Sequence, residues 1–208
     1  MYLIAVTTAI RLGELIGLKW SDINFQEGYL HISKQIQPEL DASGKRVSVK
    51  TPKGDRVIEL GNRALHALKV EYDRQKIAKA FAGDKWVDND LVFPNSIGNP
   101  RNGNTIRKAF YNALKDAGVK KIRFHDLRHT AAAILLNSKI PVIKVSAILG
   151  HANVSTTLNI YGHLISDMYR EAAKVMDNLL LPENRQPPRS TRKRVIVRKP
   201  RKKSYSKE

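Results

Sequence analysis

One change of period constrains what this chain can become. Between Trp20 and Leu60, apolar and polar residues alternate in three short runs, YLHIS at 29–33, RVSVK at 46–50 and RVIEL at 56–60. Alternation is the repeat of a strand with one buried face. On both sides of that stretch the repeat lengthens. Leu3, Val6, Ile10 and Leu15 recur at helical spacing over Met1 to Leu18, a segment without proline. Leu65, Leu68 and Tyr72 mark a second helix, Ile106, Phe110 and Leu114 a third, and Leu127, Ala131, Ile134 and Leu135 a fourth. A short helix follows Pro141 through Val142, Val145 and Ile148, and another spans about 154–164. Ser166 can cap a last one carrying Met168, Ala172, Val175 and Leu179. The expected fold class is α+β, mostly helical, with a small antiparallel sheet near the N-terminus. Thr51-Pro52-Lys53-Gly54 has Pro and Gly where a type I turn needs them, so a tight hairpin is expected between the last two strands.

Hydrophobic residues make up 42% of the 208, enough for one well-cored domain. There is no cysteine, which excludes disulfides, thiolate nucleophiles and the usual structural zinc sites, and fits a reducing cytoplasm. MYLIAV is too short for a signal peptide and lacks a basic leading region, and nothing reads as a membrane span. No capping residue precedes the first helix, so the chain is expected to begin inside an element that a longer parent would start earlier. The net charge of +18 points to a polyanion, nucleic acid above all. Residues 183–208 carry eleven Lys/Arg against two Glu, a net +9, which leaves another +9 for residues 1–182. The folded part is therefore basic in its own right. Beyond Leu181 four prolines and scattered basic residues predict a segment that is disordered alone, in which VIV could add to a sheet edge.

FHDLRHTAAAILL, residues 124–136, crowds His125, Arg128 and His129 into the head of an apolar helix. Taken alone, this stretch satisfies three readings. It suits a capped helix start. It suits an anion site, since His125 and Arg128 share one face near unpaired backbone N–H groups. It also suits a metal site, since His125 and His129 are four apart. A zinc protease pattern would need Glu directly after the first His, and Asp126 stands there. A magnesium nuclease would want converging carboxylates, and few acidic residues lie nearby. Elsewhere, LGH at 149–151 places His151 just past a helix-ending glycine. By periodicity Tyr161, three from Leu158 and Leu164, belongs to a core, and Arg11, three before Glu14, to a surface ion pair.

Their order is more specific than any of them. RLGEL, a hairpin lysine, HDLRH, LGH and NIYGH follow one another, and the chain resembles the catalytic domain of the tyrosine recombinases, the phage integrase type of site-specific DNA recombinase. TTAIRLGELIGLKWSDI resembles the first-arginine box of that family, FHDLRHTAAAILL its His-x-x-Arg box, and LGHANVSTTLNIYGHL the box that holds the nucleophile. The resemblance covers residues 1–181, leaving 182–208 as a basic tail. It implies a DNA strand-cleaving and rejoining enzyme with six site residues. Arg11 and Arg128 clamp the scissile phosphate, a task that suits a planar, permanently charged fork. Tyr161 attacks phosphorus to give a 3′-phosphotyrosine. His125 is the candidate base, His151 donates a hydrogen bond to the phosphate, and a hairpin lysine protonates the leaving oxygen. Register favours Lys50 over Lys53 for that last role. Glu14 supports the first arginine, while His129 and His163 are expected to be structural. The resemblance further implies no metal and no cofactor, double-stranded DNA attachment sites as partner, a tetramer on DNA with exchanged C-terminal segments, no membrane, and a cytoplasmic location. Family members usually carry an N-terminal DNA-binding domain, and no such domain is read in this sequence, so the alternative expectation is a truncated remnant that holds DNA without cutting it.

Overall fold

The computed structural model describes residues 1–36, 46–48, 54–164 and 166–180, and it divides into two compact units, Met1–Ser166 and Asp167–Glu208. The first unit opens with two helices, α1 (Tyr2–Thr8) and α2 (Leu12–Gly17), where periodicity predicts one. The break falls at Ala9, which takes the left-handed conformation at φ 54 and ψ 22. That conformation costs a non-glycine residue about 1–2 kcal/mol. It is offset by a buried contact: the break frees the Ala9 carbonyl from the helix ladder, and Arg128 Nη1 donates to it at 2.6 Å. Arg11 thereby becomes the N-cap of α2, and the Glu14 carboxylate accepts its backbone N–H at 2.7 Å.

Among the described residues five short strands follow: β1 (Ile23–Asn24), β2 (Tyr29–Ile32), β3 (Lys34–Ile36), β4 (Arg46–Ser48) and β5 (Arg56–Glu59). They pair antiparallel, as the alternation predicts, but not in the predicted order. β2 lies between β1 and β5, with Leu30 opposite both Ile23 and Ile58, and β3 pairs with β4. The two arms expected to form a hairpin with each other both return along 29–36 instead. Burial explains the choice. Leu30 and Ile32 face the core on β2, Arg56 and Ile58 on β5, and the observed register puts both pairs on one face. The predicted turn, with Lys50 and Lys53, lies outside the described residues.

The remaining helices of this unit are α3 (Asn62–Ala82), α4 (Gly103–Asp116), α5 (Asp126–Asn137), α6 (Val142–Leu149) and α7 (Val154–Tyr161). One core joins α1 and α2 to the sheet, α3 and α4 through Ile4, Leu15, Leu30, Leu68 and Phe110. A second joins α5, α6 and α7 through Ala132, Leu136, Val145, Leu149 and Tyr161, and Ala9 reaches it from the α1 break. On α5 the buried face is Arg128, Ala131, Ala132 and Leu136, whereas Ile134 of the predicted stripe is 56% exposed. The helix is rotated so that an arginine enters the interior. Tyr72, on the apolar face that marks α3, is half exposed and packs edge-on against Trp20. In the second unit α8 (Ser166–Leu180) leaves Val175, Met176, Leu179 and Leu180 exposed. Among the described residues no helix is long and apolar enough to cross a membrane.

Candidate active site

The opening turn of α5 is fixed from both sides. Phe124 is buried against Phe110 and Tyr2, with ring centroids 5.4 and 6.2 Å away. Asp126 turns back on Arg123, accepting its backbone N–H at 2.7 Å and pairing with its guanidinium at 2.8 Å. Asp126 thus fixes the turn that leads into the helix, and the N-cap residue His125 makes no side-chain cap bond. Its imidazole is left for other work.

The centre of the site is the C-terminus of α6. Gly150 is left-handed at φ 63 and ψ 41; its N–H bonds the Ala147 carbonyl, and the His151 N–H bonds the Ser146 carbonyl. This Schellman arrangement satisfies two carbonyls and leaves the next three pointing off the negative end of the helix dipole. Each is taken by an arginine. Arg56 Nε donates to Ile148 O at 2.8 Å, Arg128 Nη2 to Leu149 O, and Arg11 Nη2 to Gly150 O at 3.4 Å. Glu14, only 1% exposed, ties two of them together: its carboxylate pairs with Arg11 at 2.9 Å and with Arg56 at 2.9 Å. Arg56 also donates to Gly54 O at 3.0 Å, so the strand that follows residues 49–53 is tied to the same point. Three guanidinium groups against one carboxylate leave a surplus of two positive charges.

Burial first, and then that surplus, set the titrating groups. Burial opposes ionisation of Glu14, but the Arg56 hydrogen bond and the charges of Arg56 and Arg11 outweigh it and hold the carboxyl below its usual range. Burial, reinforced by Arg11 and Arg56, draws Arg128 down to about 9 against the pull of Glu14, so it remains cationic at neutral pH. His151 is drawn down to about 4 by desolvation first and then by Arg128, Arg11 and Arg56. Its Nδ1 lies 2.9 Å from Oγ1 of the fully buried Thr157. His125 is lowered by desolvation and then by His129, Arg128 and Arg11.

Tyr161 closes the far wall. It ends α7, is 5% exposed, and its hydroxyl is 2.7 Å from Nδ1 of His129. Burial raises the phenol pKa while Arg128 acts to lower it. The His125 and His129 rings meet edge to face at 4.9 Å.

Of the six predicted residues, five gather here through these hydrogen bonds and electrostatic contacts: Arg11, His125, Arg128, His151 and Tyr161. Lys50 lies outside the described residues. Two members escape a reading by motif. Arg56 has a signal in the alternation of RVIEL, which puts it on the same face as Ile58 and so requires a buried partner. His129 has none stronger than its neighbourhood, since its place against Tyr161 is set by how α7 returns to α5. Among the described residues no group of three or more His, Cys, Asp or Glu is placed to hold a metal ion.

The phage integrase family model matches residues 1–167. A tyrosine recombinase XerC-like protein of Caldanaerobacter subterraneus subsp. tengcongensis is 32% identical over 192 residues, which is 87% of this chain and 49% of that protein. The ICEBs1 integrase of Bacillus subtilis strain 168 is 28% identical over 179 residues, 86% of this chain and 48% of that one. The chain spans about half the length of these curated relatives. Among solved structures, the XerA recombinase is similar with TM-score 0.61 at 29% identity, covering 81% of this chain and 54% of that one. A Tn1549 transposon integrase in complex with circular intermediate DNA is similar with TM-score 0.66 at 25% identity, covering 84% and 58%. With the family match running from the first-arginine box past the tyrosine, the chain belongs to the phage integrase family.

Proposed function

We propose that the chain is the strand-cleaving part of a site-specific DNA recombinase, which cuts and rejoins double-stranded DNA through a 3′-phosphotyrosine on Tyr161. The observation that carries this reading is the surplus of cations around the α6 terminus beside a buried phenol. Such a site attracts an anion, and the non-bridging oxygens of a phosphodiester supply one. In this reading Arg11 and Arg128 hold those oxygens, already oriented by Glu14 and the α6 carbonyls, so little reorganisation is needed as charge builds in the transition state. A Thr157 hydroxyl donating to Nδ1 selects the His151 tautomer protonated at Nε2, which can donate to phosphate while neutral. His125, kept neutral at pH 7, is available as a base, and Lys50 is the proposed acid for the leaving 5′ oxygen. The covalent step conserves the phosphoester's energy, so rejoining needs no nucleotide cofactor, and charge stabilisation by arginine leaves no role for a metal. The boundaries proposed for this part are residues 1–181, with 182–208 as a basic tail. The working assembly is a tetramer on DNA in the cytoplasm.

The experiment is a nicked suicide duplex whose sequence is selected for binding from a randomised pool, with the covalent adduct read on a denaturing gel. Wild type forms the adduct with or without EDTA, Tyr161→Phe forms none, and Arg11→Ala slows its formation about 100- to 1,000-fold. An adduct in Tyr161→Phe removes the nucleophile assignment, and loss of cleavage in EDTA replaces the reading with a metallonuclease. Because the chain spans about half of its relatives' length, a second reading is a DNA-holding remnant. Folded wild type that binds the duplex without an adduct would favour it.

A further inference from the structure

We propose that His129 is a catalytic residue whose Nδ1 accepts the Tyr161 phenol proton as the phenol oxygen attacks phosphorus. This rests on the reading of Tyr161 as nucleophile. A general base must stand within about 2.6–3.2 Å of the proton's heavy atom, and His129 Nδ1 is 2.7 Å from the Tyr161 oxygen. His125, the N-cap of α5 four residues earlier, meets the His129 ring rather than the phenol, at 4.9 Å between centroids. The imidazole that the motif singles out and the imidazole that touches the nucleophile are different residues.

The surroundings favour a base at that point. Tyr161 is buried, so bulk water is poorly placed to take its proton. A phenolate formed there meets the Arg128 cation, which favours the charged form. His129 is one residue beyond Arg128 on α5, so the element that clamps phosphate also carries the acceptor, and one rigid helix fixes both relative to α7.

The step balances without a co-reactant. The phenol O–H bond breaks and its proton goes to His129 Nδ1. The bond from the phenol oxygen to phosphorus forms as the bond from phosphorus to the 5′ oxygen breaks, and that oxygen takes a proton from the general acid proposed at Lys50. On rejoining, the 5′-hydroxyl attacks, its proton returns to that acid, and the departing phenolate recovers its proton from His129.

The test uses the full chain and the nicked duplex. His129→Asn keeps an amide near the position of Nδ1 but cannot take up a proton, so adduct formation should slow about 100-fold or more while duplex binding is unchanged. His129→Ala should be slowed as much and partly restored by added imidazole. A duplex with a 5′-bridging phosphorothiolate, whose leaving group needs no acid, should restore Lys50→Ala and leave His129→Asn slow. Cleavage at the wild-type rate by His129→Asn, with Tyr161→Phe inactive, would overturn the base assignment and keep the nucleophile. Restoration of His129→Asn by the phosphorothiolate would also overturn it, since that outcome places the defect at the leaving group. If Tyr161→Phe itself forms the adduct, the reading beneath the inference fails first.

Discussion

Glu14 shows how one residue can serve structure and site together. The expectation of an Arg11–Glu14 ion pair is met, yet the carboxylate is buried and holds Arg56 as well. Removing one partner of a buried ion pair strands the others and typically costs about 3–5 kcal/mol, so this pairing keeps Arg11 in place before any phosphate arrives. His151 reports the resulting field. Desolvation and the three arginines hold its pKa near 4, below the ordinary 6.5. Between about pH 6.5 and 4 the unfolded chain takes the proton that the folded site refuses, so stability falls with acid across that window and is unaffected by this group above it. A bound phosphate should offset the arginine field and raise the value. NMR titration of the His151 ring, free and with duplex bound, should show a low midpoint that moves up on binding. A midpoint near the ordinary value in the free protein would mean that neither burial nor the arginines act on the imidazole as the geometry requires.

The element that organises the site is the end of α6, and a single glycine lets it exist. A Cβ on Gly150 would sit at a φ of 63° and 2.8 Å from Arg56 Nη1. Gly150→Ala should therefore cost about 1–2 kcal/mol for the backbone alone, and more as Arg56 yields its bonds to Glu14 and the Ile148 carbonyl. Gly162, at a helical φ of −57 and with nothing within 4 Å of the place a Cβ would take, is the control, and its alanine variant should be near neutral. Urea unfolding compares them, and equal midpoints would show that the α6 terminus does not depend on this conformation. This scale also separates what the residues disclose from what they do not. The helices, the antiparallel sheet and the Gly150 cap are legible, because periodicity and turn chemistry are local properties. The Ala9 break is not, because its cause is Arg128, 119 residues away along the chain. The pairing of β5 with β2 depends on a choice between two apolar partners that alternation alone leaves equal. His129 reads as helix scaffolding, because nothing in HDLRH says which imidazole α7 will bring its tyrosine against.

At the scale of the whole molecule, charge is divided almost evenly between two parts of different character. Residues 1–182 and 183–208 each hold a net +9, but the first carries it with 17 acidic residues interspersed, while the second has eleven basic residues against two Glu. Binding to a duplex releases counterions in proportion to the phosphates neutralised, with a slope of log K against log salt of about −0.9 per contact. The two parts therefore make separable contributions. Deleting 183–208 should flatten the slope by several units, with about 10 as the ceiling if every basic residue of the segment met a phosphate. The affinity lost on deletion should be larger at about 50 mM than at about 200 mM salt, where those contacts are already weakened in the full chain. Cleavage chemistry should be unchanged once the duplex is saturating, because Arg11, Arg128 and Tyr161 all lie within the first part. Binding isotherms across a salt series, with the full chain alongside, decide it. An unchanged slope would place the tail's charge off the DNA and assign it to contacts between protein chains.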